Sequence, residues 1–297
     1  MENLVSIKGL SKRFGQEYAL RDVDLDIPAG CVVGLVGANG AGKTTLIRAI
    51  LGLTPLAAGT VELFGERFDN HASSEQAARL KGRVGVVFDT CPFMTEQSLF
   101  SVGRMMAAAY PNWNEERYRE LLEFSGLVGG KLTKELSRGM SMKLQICAAL
   151  AHEPQLLILD EATAGLDPLA RDEVLDLLKA NMSDDRAILM SSHITSDLDK
   201  IADIVVGIDQ GRIVFNVDKD QVTDRMGVAH CRADQLSDVL AFFVQAGEGQ
   251  PLLLHREYST DVLLPDRFTF VAAMPQVDVE RINIEEYMQF VLRGGQR

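Results

Sequence analysis

Residues 37–45 read Gly-Ala-Asn-Gly-Ala-Gly-Lys-Thr-Thr, which fits the phosphate-binding pattern GxxxxGK followed by Ser or Thr and constrains the fold more than any other segment. Residues 31–36, just before it, are apolar and rich in β-branched types, as in a buried parallel strand. After it, apolar residues recur with helical spacing at Leu46, Ile47, Ile50 and Leu51. A strand, a glycine-rich loop and a helix in this order predict an α/β protein that binds a nucleoside triphosphate.

Phosphate chemistry assigns a role to each part of this loop. Glycines let backbone amides turn toward the phosphates, and the positive end of the following helix favours the same negative charge. We expect Lys43 to reach the β and γ phosphates and Thr44 to place its hydroxyl on Mg²⁺. The alternative is a glycine-rich turn that begins a helix and binds nothing. The predicted nucleotide-binding residues of the loop are Gly37, Asn39, Gly40, Ala41, Gly42, Lys43, Thr44 and Thr45.

Composition limits the kind of protein that this chain can be. With 297 residues, of which 46% are hydrophobic, it can form one large domain with an appendage or two modest domains. No apolar run approaches the roughly eighteen residues that cross a bilayer, and the first residues lack the features of an export signal, so we expect a cytoplasmic protein. The net charge of -12 argues against a broad nucleic-acid surface, and a local basic patch stays open.

Hydrophobic patterning divides the chain into segments. Runs at 4–8, 23–27 and 60–64 alternate apolar and polar residues, as half-exposed antiparallel strands do. Residues from about 72 to 152 are mostly helical in pattern, with one helix at 114–124. This stretch predicts a helical insertion.

Core α/β patterning then resumes and ends before the C-terminus. Apolar strands at 156–159 and 187–190 are separated by a helical pattern, which is the βαβ alternation of a parallel sheet. Past about 217, amphipathic helices and short strands predict a small folded appendage. Asn283, with Glu286 three residues later, predicts a capped final helix.

The strand at 156–159 ends in two adjacent acids, Asp160 and Glu161. A phosphate-loop enzyme needs such acids, because Asp160 can hold the Mg²⁺ shell and Glu161 can accept a proton from attacking water. The alternative is a buried strand that ends at a solvated acidic turn.

Three further motifs lie around these acids in a defined order. Residues 136–140 read Leu-Ser-Arg-Gly-Met, residues 162–167 read Ala-Thr-Ala-Gly-Leu-Asp, and His193 follows the next strand. Together with the phosphate loop and the acidic strand, this series resembles the ATP-binding subunit of an ATP-binding cassette (ABC) transporter, over about residues 4–217. The resemblance implies a P-loop NTPase fold, with a RecA-like parallel-sheet core, an antiparallel β subdomain and a helical subdomain at about 80–155. The chain then divides into an ABC ATPase domain, 1–217, and the C-terminal α+β appendage, 218–297, as an accessory domain. A dimerisation or regulatory role is preferred for the appendage, and simple capping of the ATPase domain stays open.

The resemblance also implies roles for residues outside the phosphate loop. Phe14 stacks on adenine, and Asp167 touches an opposing subunit. Ser137 and Gly139 contact the γ-phosphate held by that second subunit, and His193 hydrogen-bonds the γ-phosphate and positions Glu161. The alternatives are a core phenylalanine for Phe14, an ordinary helix cap for Ser137 and a satisfied surface or core residue for His193.

Asp89 departs from the family pattern, since a glutamine usually follows the strand at 84–88 and contacts Mg²⁺ and the attacking water. Asp89 still offers an oxygen to Mg²⁺, but an ionised carboxylate donates no hydrogen bond and adds negative charge beside the polyphosphate. Arg138 and Met140 likewise stand where glycine and glutamine often flank the central glycine. The predicted catalytic residues are Lys43, Asp89, Glu161 and His193, and the predicted metal ligands are Thr44, Asp89 and Asp160.

These variants resemble the bacterial exporter subfamily that includes antibiotic-resistance and cell-envelope ATPases. The implied function is ATP hydrolysis, with ATP and Mg²⁺ as cofactors, in a dimer that drives a separate integral membrane permease from the inner face of the membrane. A homodimer is expected, and a pair with a different ATPase subunit stays open. No nucleic acid is expected as a partner. Two alternatives stay open: a soluble ABC ATPase that acts on nucleic acid or ribosomes, and a regulatory ATP-binding module that hydrolyses ATP weakly because of Asp89.

Overall fold

The computed structural model describes residues 2–68, 72–128 and 130–294. Its contacts divide the chain into two compact units, Met1–Ala202 with Ile208–Ile213, and Asp203–Gly207 with Val214–Arg297. The first eight strands are β1 Asn3–Phe14, β2 Glu17–Pro28, β3 Val32–Val36, β4 Ala58–Leu63, β5 Glu66–Arg67, β6 Val84–Val87, β7 Leu156–Asp160 and β8 Ala187–Ser192. The first seven helices are α1 Lys43–Ile50, α2 Ser74–Lys81, α3 Leu99–Ala109, α4 Glu115–Phe124, α5 Arg138–Leu150, α6 Pro168–Lys179 and α7 Thr195–Ile201.

An antiparallel sheet in the first unit has the strand order β2-β1-β4-β5. The alternation of apolar and polar residues in β1 suits a sheet with one buried face, because Val5 and Ile7 are buried while Lys8 faces solvent. The predicted strand at 4–8 is confirmed but is longer, since β1 stays paired with β2 as far as Phe14 opposite Glu17. The pairing register of β1 with β2 shifts at several points, including between Ile7 and Leu10, where the strict alternation of apolar and polar residues is interrupted.

A parallel sheet forms the core of the first unit, with β3, β8, β7 and β6 side by side in that order. Every residue of β3, β7 and β8 is buried, as expected for parallel strands that helices cover on both faces. The predicted α/β class is confirmed. Because parallel strands end at one edge, Val36, Asp160 and Ser192 bring the phosphate loop, the acids and His193 to the same side of the sheet.

The stretch at 72–152 that was predicted to be mostly helical contains α2, α3, α4 and α5, a short 3₁₀ turn at Thr133–Glu135 and also β6, a strand of the parallel sheet. The inserted helices are therefore those that follow β6. The helix predicted at 114–124 is confirmed as α4, whose N-cap Asn114 accepts a hydrogen bond from the Arg117 amide. Tyr118 of α4 is fully buried, and its hydroxyl donates to the Leu99 carbonyl at 2.9 Å. This bond ties α4 to the start of α3.

Two neighbouring strands, β9 Ile204–Asp209 and β10 Arg212–Asp218, contribute residues to both units. The second unit then has a π-helical turn at Gln221–Arg225 and the elements β11 Gly227–Cys231, α8 Leu236–Gln245, β12 Leu253–His255, β13 Thr260–Leu264, α9 Arg267–Ala273, β14 Asp278–Arg281 and α10 Ile284–Arg293.

The second unit is an α+β structure, as the sequence predicts. Its antiparallel sheet has the order β12-β13-β11-β14, and its core includes the buried Phe243 of α8 and Phe270 of α9. A second cluster includes Phe290 of α10. The predicted cap of α10 is confirmed, because the Asn283 and Glu286 side chains each accept a hydrogen bond from the other's amide.

Candidate active site

The phosphate loop connects β3 to α1, and its backbone needs glycine at two positions. Gly42, the N-cap of α1, has φ 119°, a conformation that side chains disfavour. A Cβ on Gly37 would stand 2.3 Å from the Ile208 carbonyl oxygen, so any side chain there would displace the loop. These glycines let the loop amides face a common centre.

A cavity of about 200 Å³ lies over this loop. Its walls contain Ala19, Ala38, Asn39, Gly40, Gly42, Lys43, Thr44, Thr45 and Glu161. Ala41 is buried beneath it. The loop and the acid that follows β7 therefore face one cavity, with the N-terminal end of α1 directed into it.

Lys43 lies at the base of this cavity and is only 5% exposed. Its Nζ donates to the Gly37 carbonyl at 2.7 Å and lies 3.1 Å from Glu161 Oε1. A buried ammonium needs such partners, because desolvation otherwise makes its charge costly.

Glu161 occupies a backbone conformation that is rare for residues other than glycine, with φ 55°. Its amide donates to the side-chain oxygen of Ser191 at 3.1 Å, which helps to hold that conformation. Its Oε2 lies 2.6 Å from His193 Nδ1. Burial raises the pKa of Glu161, but hydrogen bonds from His193 and Lys43 outweigh it, so the pKa lies below its usual value. Glu161 is therefore ionised at neutral pH and fixed in orientation.

Asp160 is nearly buried, with 7% of its surface exposed. Its Oδ1 accepts a hydrogen bond from Ser191 Oγ at 2.7 Å and one from Thr44 Oγ1 at 3.3 Å. A carboxylate and a hydroxyl oxygen thus converge beside the phosphate loop, and oxygen ligands of this kind fit Mg²⁺.

Ser191 is the functional residue that the sequence reasoning missed. It contacts both acids, since its hydroxyl donates to Asp160 and accepts from the Glu161 amide. The available signal was its place at the end of β8, the strand that pairs with β7 and sets Asp160 opposite Ser191.

Replacing Ser191 with alanine is expected to destabilise the fold by about 1–3 kcal/mol, because the buried Asp160 carboxylate loses its shorter hydrogen bond and the Glu161 amide loses one of its two acceptors. ATP turnover should also fall about 10–100-fold, as when a supporting hydrogen bond of a metal site is removed. The control is Ser192→Ala, which is also buried but bonds only locally to Ile194. Equal turnover in the two variants, measured by phosphate release, would show that Ser191 supports the fold but has no separate role in hydrolysis.

Several predicted site residues lie outside the cavity. Phe14 is 59% exposed at the end of β1, with the Lys12 ammonium 4.7 Å from its ring centre. Ser137 is the N-cap of α5 and accepts a hydrogen bond from the Met140 amide at 3.2 Å. None of Phe14, Ser137, Gly139, Asp167 and Asp89, all of them described residues, lines the cavity. One copy thus brings the phosphate loop to Glu161 and not to the Ser137 end of α5.

Asp89 and Asp167 make other contacts. Asp89, just after β6, forms an ion pair with Arg138, with 2.5 Å between Oδ1 and Nη2. Asp167 caps α6 and accepts a hydrogen bond from the Ala170 amide at 3.0 Å. Asp89 therefore lies against the first residue of α5, and Asp167 lies at the start of α6.

Known ATP-binding proteins are similar to this chain in sequence. The family model of the ABC transporter matches residues 20–164. The chain is 32% identical over 228 residues to the bacitracin transport ATP-binding protein BcrA of Enterococcus faecalis, covering 76% of this chain and 72% of that protein. The chain belongs to the ATP-binding subunits of ABC transporters. This ABC ATPase is also 31% identical over 257 residues to the daunorubicin resistance ATP-binding protein DrrA3 of Streptomyces coeruleorubidus, covering 83% and 79% of the two chains.

Solved structures agree on the fold of this ABC ATPase. An ATP-binding subunit of an ABC transporter superposes with a TM-score of 0.66 at 29% identity, covering 74% of this chain and 91% of that one. The predicted ABC ATPase fold and ATP-binding function are confirmed. Within the described ranges, none of the helices is both long and apolar enough to span a bilayer.

Proposed function

We propose that two copies of this ABC ATPase close on ATP and drive an integral membrane subunit that exports its cargo. The observation that carries the proposal is the division of the site within one copy. The cavity contains the phosphate loop and Glu161, while the capped Ser137 end of α5 lies outside it. In this proposal a second copy supplies that helix end, whose amides and dipole favour the γ-phosphate.

Hydrolysis uses the residues that the cavity and its neighbours bring together. Lys43 binds the β and γ phosphates, and Thr44 with Asp160 holds Mg²⁺, which when bound neutralises charge on the phosphate oxygens. Glu161 accepts a proton from water while the water oxygen attacks the γ-phosphorus. The bond to the bridging oxygen breaks, and ADP and phosphate leave. His193, bonded to Glu161, keeps the carboxylate aimed at the water.

Closure and reopening follow from the same contacts. ATP that touches Lys43 in one copy and Ser137 in the other binds the closed pair better than the open one, so it shifts the equilibrium toward closure. Hydrolysis removes the γ-phosphate contact and reverses the shift. Asp167, at the start of α6, is proposed to contact the opposing copy.

A membrane partner is supported by an apolar cleft in the first unit, of about 310 Å³. Phe88, Pro92 and Phe93, from the stretch after β6, line it together with Leu53 and Met106. A hydrophobic cleft of this kind can take apolar side chains from one face of an amphipathic helix. The location at the inner face of the membrane follows from this partner, and the drug-related names of BcrA and DrrA3 support export.

Leu53→Glu tests this docking. Leu53 is 57% exposed, so a charge there should leave the fold intact while making the cleft unsuitable for an apolar helix. We expect the tagged parent, purified from detergent-solubilised membranes, to retain an integral membrane subunit that stimulates its ATP turnover. Leu53→Glu should lose most of this subunit. Phe124→Glu, 67% exposed and outside the cleft, is the control. Retention by both variants would place the partner elsewhere, and a nucleic acid copurifying with the parent instead would favour the soluble alternative.

We propose that residues 1–217 form the ATPase domain and that 218–297, of which 295–297 lie outside the described residues, form an accessory domain that dimerises or regulates. Its own hydrophobic core, with Phe243 and Phe270, supports an independently packed unit.

A further inference from the structure

Two of the three positions at which this chain departs from the family pattern, Asp89 and Arg138, contact each other. Asp89 stands where glutamine is usual, and Arg138 stands where glycine is usual beside Gly139. They lie 49 residues apart in sequence, and Arg138 Nη2 donates to Asp89 Oδ1 at 2.5 Å. Arg138 thus supplies the positive charge that compensates the carboxylate of Asp89.

Arg138 also packs on the segment that follows Glu161. A Cβ on Gly165 would stand 3.1 Å from the guanidinium carbon of Arg138, so the guanidinium covers the backbone there. Gly165 has φ 68°, a second reason for glycine at this position. The next residue of α5, Gly139, lies close to Ala170 of α6, where a Cβ would come within 2.8 Å of the Ala170 side chain.

Arg138 is therefore the shared contact of three segments: the stretch after β6, the Ser137 end of α5, and residues 162–167. Both side chains of the ion pair are 53% exposed, so the pair adds little to overall stability. Its effect is local, because a guanidinium held by Asp89 has fewer positions over Gly165. The pair also neutralises the carboxylate charge of Asp89.

We propose that Asp89 and Arg138 act as a matched pair that positions the Ser137 end of α5 against the segment after Glu161. Arg138 is a positioning residue for ATP hydrolysis, and Asp89 holds it instead of serving as a metal ligand. The inference rests on the proposed function, in which the Ser137 end contacts nucleotide.

The test uses a double-mutant cycle in the full chain. The variants are Asp89→Gln, Arg138→Gly and the double variant that carries both. We expect each single variant to lose about tenfold in kcat with little change in KM, since misplacing a positioned group slows the chemical step more than binding. The double variant restores the usual family residues and leaves no unpaired charge, so its kcat should return to within about threefold of the parent.

A second readout does not depend on turnover. Without nucleotide, hydrogen exchange should quicken at the amides of Ala164 and Leu166, which bond within the turn that Arg138 covers. Asp89→Gln should produce this change although its effect reaches the turn only through Arg138. The double variant should exchange no faster than Arg138→Gly.

The control is Glu66→Gln, which breaks an exposed arginine pair of equal length, 2.5 Å to Arg79. The inference is overturned if Asp89→Gln, like Glu66→Gln, leaves hydrogen exchange at the turn unchanged. It is also overturned if the fold-losses in kcat of the two single variants multiply in the double variant. A parent that turns over no ATP contradicts the proposed function, and exchange still decides whether the pair holds the turn.

Discussion

Glutamine in place of Glu161 is expected to lower ATP turnover by about 10²–10⁴-fold, the usual contribution of a general base. The amide matches the carboxylate in shape and keeps an oxygen for Lys43, which now lies 3.1 Å from Glu161 Oε1, but it cannot take a proton from water. ATP should still bind. The variant should therefore accumulate as an ATP-bound dimer, visible by size-exclusion chromatography with Mg²⁺ and ATP.

Glu120→Gln is the matched control, because Glu120 pairs with Arg117 on the surface of α4. It should turn over ATP like the parent and form no lasting dimer. Unchanged turnover in Glu161→Gln would assign the base to another residue. A parent that is already as slow as the variant would favour the regulatory module with weak hydrolysis.

Mixing two inactive variants should restore activity if each site is built from two copies. Lys43→Ala is expected to lose about 10²–10³-fold in kcat, because a cation that stabilises the transferring phosphoryl group is gone. Ser137→Arg should also be inactive, since a bulky cation replaces the N-cap at the helix end. In a mixture of equal parts, half of the dimers are mixed and each has one intact site of two, so about a quarter of the parent's turnover should return.

Phosphate release by the mixture measures this recovery, and differently tagged subunits show by co-capture whether mixed dimers form. Two differently tagged copies of Lys43→Ala provide the control, since no combination of them contains an intact phosphate loop. Mixed dimers that form without any recovery of turnover would contradict a site shared between copies.

Local sequence was sufficient for elements whose residues carry their own signal. The apolar run at 31–36 predicted β3, because parallel strands that are buried on both faces are apolar throughout, and every residue of β3 is buried. The glycines at Gly37 and Gly42 predicted a loop that no larger residue can form. Ser137 at the start of α5 and Asn283 at the start of α10 were also readable, since a helix cap involves residues within one turn.

Contacts between distant segments could not be read in this way. Ser191 meets Asp160 only because β7 and β8 pair in one register, and Arg138 meets Asp89 only because α5 packs beside the end of β6. Strand β14, Asp278–Arg281, has three charged residues among its four, and the alternation of Val277 and Val279 with acidic residues is too short to mark a strand. Its pairing with β11 determines its conformation instead.

The bond from Lys43 to Glu161 has a consequence for when the enzyme can act. A carboxylate oxygen that already accepts a hydrogen from an ammonium is a poor proton acceptor, and Glu161 has His193 on its other oxygen. In the proposed mechanism, an arriving triphosphate attracts the same ammonium and so frees that oxygen. The proposed base would then be available only with ATP bound, and Lys43 would restrain it in the resting enzyme.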